Sequence, residues 1–92
     1  MLFKVEMTVT PPAHLSEDAF NAIKLKEKQY AEELQQQGIW VHLWRVAGLY
    51  ANVSIFDVQD NQHLHDVLMA LPLYPYMTMS VTPLCQHPSS IK

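Results

Sequence analysis

Glycine is nearly absent from this chain: Gly38 and Gly48 are the only two in 92 residues. A phosphate-cradling loop or a dinucleotide fingerprint needs several glycines within a few positions, so that the backbone can approach the phosphates closely. A nucleotide cofactor is therefore not expected. Cysteine occurs once, as Cys85. A lone thiol closes no internal disulfide and builds no zinc-type cluster, which fits a reducing compartment. Charge is scarce at 16%, and six Lys+Arg against nine Asp+Glu leave a net charge of −3. Neither nucleic acid nor an anionic membrane finds the positive patch that it needs. Long apolar runs are missing too, since nothing approaches the roughly 18 consecutive residues of a spanning helix. The opening MLFKVEMTV alternates instead of forming the apolar stretch of a leader. The expectation is a cytoplasmic protein with no nucleic-acid or membrane partner.

What is present is apolar substance. Hydrophobic types make up 49% of the chain, yet a body of this size hides only about 60–65% of its unfolded surface. A single domain over residues 1–92 is expected, with surplus apolar surface meeting another subunit. Phe3, Val5, Met7 and Val9 alternate with Leu2, Lys4, Glu6 and Thr8, the period of a half-buried strand, until Pro11 and Pro12 stop it. Ser16 followed by Glu17 and Asp18 reads as an N-cap with an acidic first turn. The helix then runs to Gly38, with Phe20, Ile23, Tyr30, Ala31 and Leu34 forming one stripe.

From Trp40 to Asp57, β-branched and aromatic residues flank Ala47-Gly48, which predicts a hairpin with Arg45 opposite Tyr50. Asp60 or Asn61 caps a second helix carrying Leu64, Val67, Leu68 and Leu71, and Pro72 ends it. Tyr76 to Leu84 alternates again, up to Pro83. The order strand, helix, strand, strand, helix, strand predicts an α+β, ferredoxin-like βαββαβ fold: a four-stranded antiparallel sheet with both helices on one face. An unrelated two-layer α+β sandwich is the rival. The tail from Cys85 to Lys92 has no period and is expected to be frayed or docked on a neighbour.

Three features bear on chemistry. Glu27 stands seven residues after Phe20, four after Ile23 and seven before Leu34, at the centre of the apolar stripe. A carboxylate aimed at a core is costly unless paired. It is either a structural ion-pair partner of Lys24 or Lys28, or a group with a raised pKa suited to general-base work on a carbon acid. In the hairpin, Arg45, Tyr50, Asn52 and Ser54 share one face, while Trp44, Val46, Ala51, Val53 and Ile55 share the other. The polar row is either simply solvated or suited to an anionic, oxygen-rich ligand, with the Arg45 fork matched to a carboxylate. The histidines His14, His42, His63, His65 and His87 include no i, i+4 pair, so no metal is expected. Cys85 reads as a small thiol rather than a nucleophile.

The strings LWR-x-AG-x-YAN-x-S-x-FDV and LPL-x-PYM, with the opening MLFKVEMTV and the ending LCQHPSSI, resemble the muconolactone Δ-isomerase family of the β-ketoadipate pathway of catechol catabolism over essentially the whole chain. The resemblance implies a ferredoxin-like subunit, a ring-like homodecamer with sites at subunit junctions, and a reaction without cofactor. In that reaction a proton moves along the allylic system of muconolactone to give 3-oxoadipate enol-lactone. It makes Glu27, in KLKEK, the expected proton carrier. Arg45 and Lys24 become candidates for the substrate carboxylate, and Tyr50, Asn52 and His42 for donors to the developing dienolate oxygen, with Ser54 and Trp44 also expected in the binding site. Val41 and Leu49 depart from the polar or charged residues of better-known members. If they line the pocket, a methyl- or chloro-substituted lactone becomes the alternative substrate, for isomerisation or dehalogenation. A non-catalytic ferredoxin-like binding module and a cofactor-independent monooxygenase of the dimeric α+β type complete the alternatives.

Overall fold

The computed structural model describes every residue from Met1 to Lys92. Strand β1 (Leu2–Val9) buries Phe3, Val5, Met7 and Val9 and exposes Leu2, Glu6 and Thr8, as its alternation requires. Helix α1 (Glu17–Gln36) starts where the Ser16 hydroxyl accepts the Ala19 amide at 3.1 Å. It ends in a Schellman arrangement: Gly38 donates to the Gln35 carbonyl at 3.1 Å and Ile39 to the Leu34 carbonyl at 3.0 Å. Gly38 takes φ +76°, which an L side chain resists. Strands β2 (Trp40–Arg45) and β3 (Ala51–Asp57), helix α2 (Asn61–Met69) and strand β4 (Met77–Leu84) follow, with one 3₁₀ turn at Tyr74–Tyr76. Asp60 caps α2 by accepting the His63 amide at 2.8 Å.

The sheet is antiparallel throughout, in the order β2-β3-β1-β4, the ferredoxin-like arrangement expected from the element order. Its inner face carries Phe3, Val5 and Met7 of β1 and Phe56 of β3. Ala31 and Leu34 of α1 and Leu64, Val67 and Leu68 of α2 join the same cluster. Phe56 has no exposed surface, and burying a side chain of that kind stabilises by about 1.5–3 kcal/mol. No helix covers the outer face, where Lys4 and Glu6 pair at 3.4 Å beside half-buried Val53 and Ile55 and exposed Trp44.

Two details of the hairpin differ from the sequence reading. The turn does centre on Ala47-Gly48, with Gly48 at φ +83° and the Leu49 amide on the Val46 carbonyl at 3.1 Å. The connecting loop nevertheless spans 46 to 50, so Arg45 pairs with Asn52 rather than Tyr50. A shift of two residues preserves every face, and Arg45, Asn52 and Ser54 still share one side. In addition, the register breaks between Trp40 and His42, and Val41 is the extra residue of a bulge. Trp40 therefore pairs with Phe56 on the inner face, while His42 pairs with Ile55 on the outer one. Residues Cys85 to Lys92 follow β4 as an exposed segment whose Ile91 is 96% exposed.

Candidate active site

Between α1 and the inner face of the hairpin lies a cavity of about 460 Å³, within the ordinary range for small-ligand sites. Helix spacing of three and four residues brings Lys24, Glu27, Lys28 and Ala31 to it from α1. Strand alternation brings Leu43, Arg45 and Asn52 to it from below, and Tyr50 reaches it from the loop. Leu73, just beyond Pro72, and Met77 complete the floor. Apolar walls with a few convergent polar groups form a setting in which charge interactions are stronger than in water.

Glu27 is half-buried in this wall. Its Oε1 accepts the Leu73 backbone amide at 3.0 Å, and it forms no ion pair with Lys24 or Lys28. Burial pushes its pKa above the usual carboxylate value, and the Leu73 hydrogen bond opposes that rise in part. The structural ion pair weighed for this carboxylate is thus absent. What remains is a desolvated carboxylate held by one neutral donor, the environment that makes a glutamate a stronger base than it is in water.

The other polar groups are arranged around it. The Arg45 guanidinium lies 5.5 Å from the centre of the Tyr50 ring, and the Lys24 ammonium lies 5.4 Å from that of Phe20. Both cations rest on aromatic faces rather than on carboxylates, which leaves their donors free for an anion. The Asn52 amide oxygen accepts the Ser54 hydroxyl at 2.7 Å, and its nitrogen meets only the Met7 sulfur, at 3.6 Å. Ser54 is fully buried; it orients Asn52 from beneath and does not line the cavity.

The fold thus gathers Lys24, Glu27, Arg45, Tyr50 and Asn52 around one space. His42 and Trp44 stand apart from them: they stack on each other at 4.9 Å on the outer face of the sheet. Odd and even positions of a strand point to opposite sides, so His42 has the parity of Trp44 and not of Arg45. Val41 and Leu49 do not line the cavity of the single chain either. Trp40 and Leu73 were not singled out from sequence. The buried Trp40 borders the cavity through the bulge, and its indole N–H finds no acceptor in the chain. No group of His, Cys, Asp and Glu is arranged to hold a metal ion. No helix is long and apolar enough to cross a membrane.

Comparison with known proteins gives a consistent picture. The family model described as muconolactone delta-isomerase matches residues 1–90. The chain is 54% identical to muconolactone Delta-isomerase 2 of Acinetobacter lwoffii over 91 residues, covering 99% of this chain and 95% of that protein. It is 52% identical to the muconolactone Delta-isomerase of Acinetobacter baylyi, covering all of this chain and 96% of the relative. A crystal structure of muconolactone isomerase superposes with a TM-score of 0.94 at 52% identity, over 100% of this chain and 96% of that one.

Proposed function

Because the chain belongs to the muconolactone Δ-isomerase family, we propose that the cavity between α1 and the hairpin is where muconolactone is converted to 3-oxoadipate enol-lactone, with Glu27 as the proton carrier. In muconolactone the double bond is conjugated to the lactone carbonyl, and the saturated ring carbon bearing the carboxymethyl arm lies next to that double bond, so its C–H is acidified through it. Loss of its proton gives a dienolate with charge on the carbonyl oxygen, and protonation next to the carbonyl completes the shift. One base serves both steps, and no redox or group-transfer partner is needed.

The observation that carries this reading is the half-buried Glu27, without an ion-pair partner, in the wall of a cavity that also holds free cations. Arg45 takes the carboxymethyl group, since its planar fork matches a carboxylate, and Lys24 adds a second positive charge. Tyr50 and Asn52 supply donors toward the developing oxyanion, where a preorganised donor contributes most. Ser54 acts through Asn52, and neither His42 nor Trp44 has a part within one chain.

The chain is further proposed to act as a homo-oligomer, a decamer by family resemblance, in the cytoplasm, where an exposed thiol such as Cys85 stays reduced. The uncovered outer face supports association, with Trp44 55%, Leu2 40% and Leu84 40% exposed. The test is turnover of muconolactone, followed by its ultraviolet absorbance in the presence of a chelator, beside the methyl and chloro analogues. Efficient turnover of the parent lactone is expected. Loss of the reading would follow from turnover of neither the parent nor its analogues.

A further inference from the structure

Glu27 and Leu73 are 46 positions apart, yet the only hydrogen bond to the Glu27 carboxylate comes from the Leu73 amide. That amide is rigidly placed. Pro72 fixes φ immediately before it. The Tyr74 amide donates to the Leu71 carbonyl at 2.9 Å, and the Tyr76 amide donates to the Leu73 carbonyl at 2.9 Å. The Leu73 side chain is buried in a cluster with Val9 and Phe20. Strand β1, helix α1 and the loop after α2 together hold one N–H against one carboxylate oxygen.

We propose that the Leu73 amide makes the two Glu27 oxygens unequal: Oε1 is the anchored oxygen, and Oε2 alone takes the proton from the substrate and returns it. This rests on Glu27 being the base. A backbone N–H donates and cannot accept, so Oε1 must remain an acceptor whether the side chain is ionised or neutral. A proton on Oε1 would turn that oxygen into a hydroxyl and weaken the bond, whereas a proton on Oε2 leaves it intact. Oε2 has no hydrogen-bond partner in the chain. Leu73 is thus a positioning residue, acting through Glu27 by a main-chain group that no side-chain substitution removes. It has a second effect of fixed sign: its hydrogen bond favours the charged form of the base and keeps the base ionised to lower pH.

The direct test replaces the Leu73 amide by an ester, using the α-hydroxy analogue of leucine in a chain assembled by chemical ligation. The side chain, loop and cluster are kept and one N–H is deleted. The expected result is a fall in kcat of tenfold or more with little change in KM for muconolactone, and an acid limb of the pH–kcat/KM profile displaced to higher pH. A purely structural role would lower the melting temperature and leave the acid limb where it was. An unchanged kcat and acid limb in the folded ester protein overturn the proposal. Should the ester protein not fold, the intact protein decides by nuclear magnetic resonance. The Leu73 amide proton should shift with the titration of the ¹³C-labelled Glu27 carboxyl, and an amide that ignores that titration overturns the proposal equally. Glu27→Gln separates the two levels. If Gln retains turnover, the assignment of the base falls. If Gln abolishes it while the ester leaves kcat and the limb untouched, only the division of labour between the oxygens falls.

Discussion

Replacing Glu27 with Gln changes two properties in opposite directions, and both follow from where the side chain sits. The Gln carbonyl can still accept the Leu73 amide that Oε1 holds at 3.0 Å, so the loop and the cavity wall keep their shape. The base is gone. A positioned general base contributes about 10²–10⁴-fold, equivalent to about 2.7–5.4 kcal/mol of transition-state stabilisation at 1.36 kcal/mol per decade. Turnover of muconolactone should fall by at least the lower figure. Stability should move the other way at neutral pH. Burial raises the pKa of Glu27 above its ordinary 4.5 in spite of the Leu73 bond, so the folded state holds its proton more tightly than the unfolded state does. Stability therefore falls as pH rises from the unfolded value through the raised folded one. Above that window the wild type carries a desolvated charge that Gln lacks, and E27Q should melt higher. Below it both side chains are neutral, and the difference should close. The assay is steady-state kinetics beside thermal melts at several pH values from acid to neutral. Near-normal turnover together with the stability gain would show Glu27 to be an incidental buried carboxylate and would refute the assignment.

Arg45→Met removes the fork that rests on Tyr50; with hydrogen bonds to charged groups worth about 1.5–3 kcal/mol, KM should rise about 10- to 100-fold, and Arg45→Lys should recover part of it. An unchanged KM would pass the anchor to Lys24. Ser54→Ala strips the only hydroxyl on the Asn52 amide oxygen and should cost about 1–3 kcal/mol by urea unfolding, with a fall in kcat as Asn52 loses its orientation; a drop in stability with kcat intact would remove Asn52 from the chemistry. His42→Ala should leave kcat and KM near those of the wild type while weakening self-association in sedimentation, because His42 lies on the outer face. A collapse of turnover in assembled protein would return His42 to the site.

Much of this was legible because it is local. Alternation alone placed Phe3 to Val9 correctly, and Ser16 and Gly38 bounded α1 through capping chemistry that acts within a few residues. The inward aim of Glu27 followed from counting along the stripe. Parity likewise set Arg45, Asn52 and Ser54 on one face, and it survived the two-residue error in register. The same parity, applied to His42, would have removed it from the list of donors. Trp40 was different, since an unbroken alternation sends it to the outer face and only the bulge at Val41 brings it in. The Leu73 amide lay beyond sequence reasoning altogether: a main-chain donor carries no residue signature, and its meeting with Glu27 depends on how α1 and the loop after α2 pack.

The bulge also sorts the two tryptophans. Trp40 borders the cavity at 2% exposure, tilted against Phe56 at 4.8 Å, whereas Trp44 is 55% exposed and stacked on His42. One short strand thus carries two intrinsic fluorophores that look into different environments. With Trp44 replaced by Phe, the remaining emission reports events in the cavity and is largely blind to the sheet surface. With Trp40 replaced instead, it reports contact at the outer face, where Trp44 stacks on His42. Occupancy of the site and assembly of the chain can therefore be followed as separate optical signals, without any label.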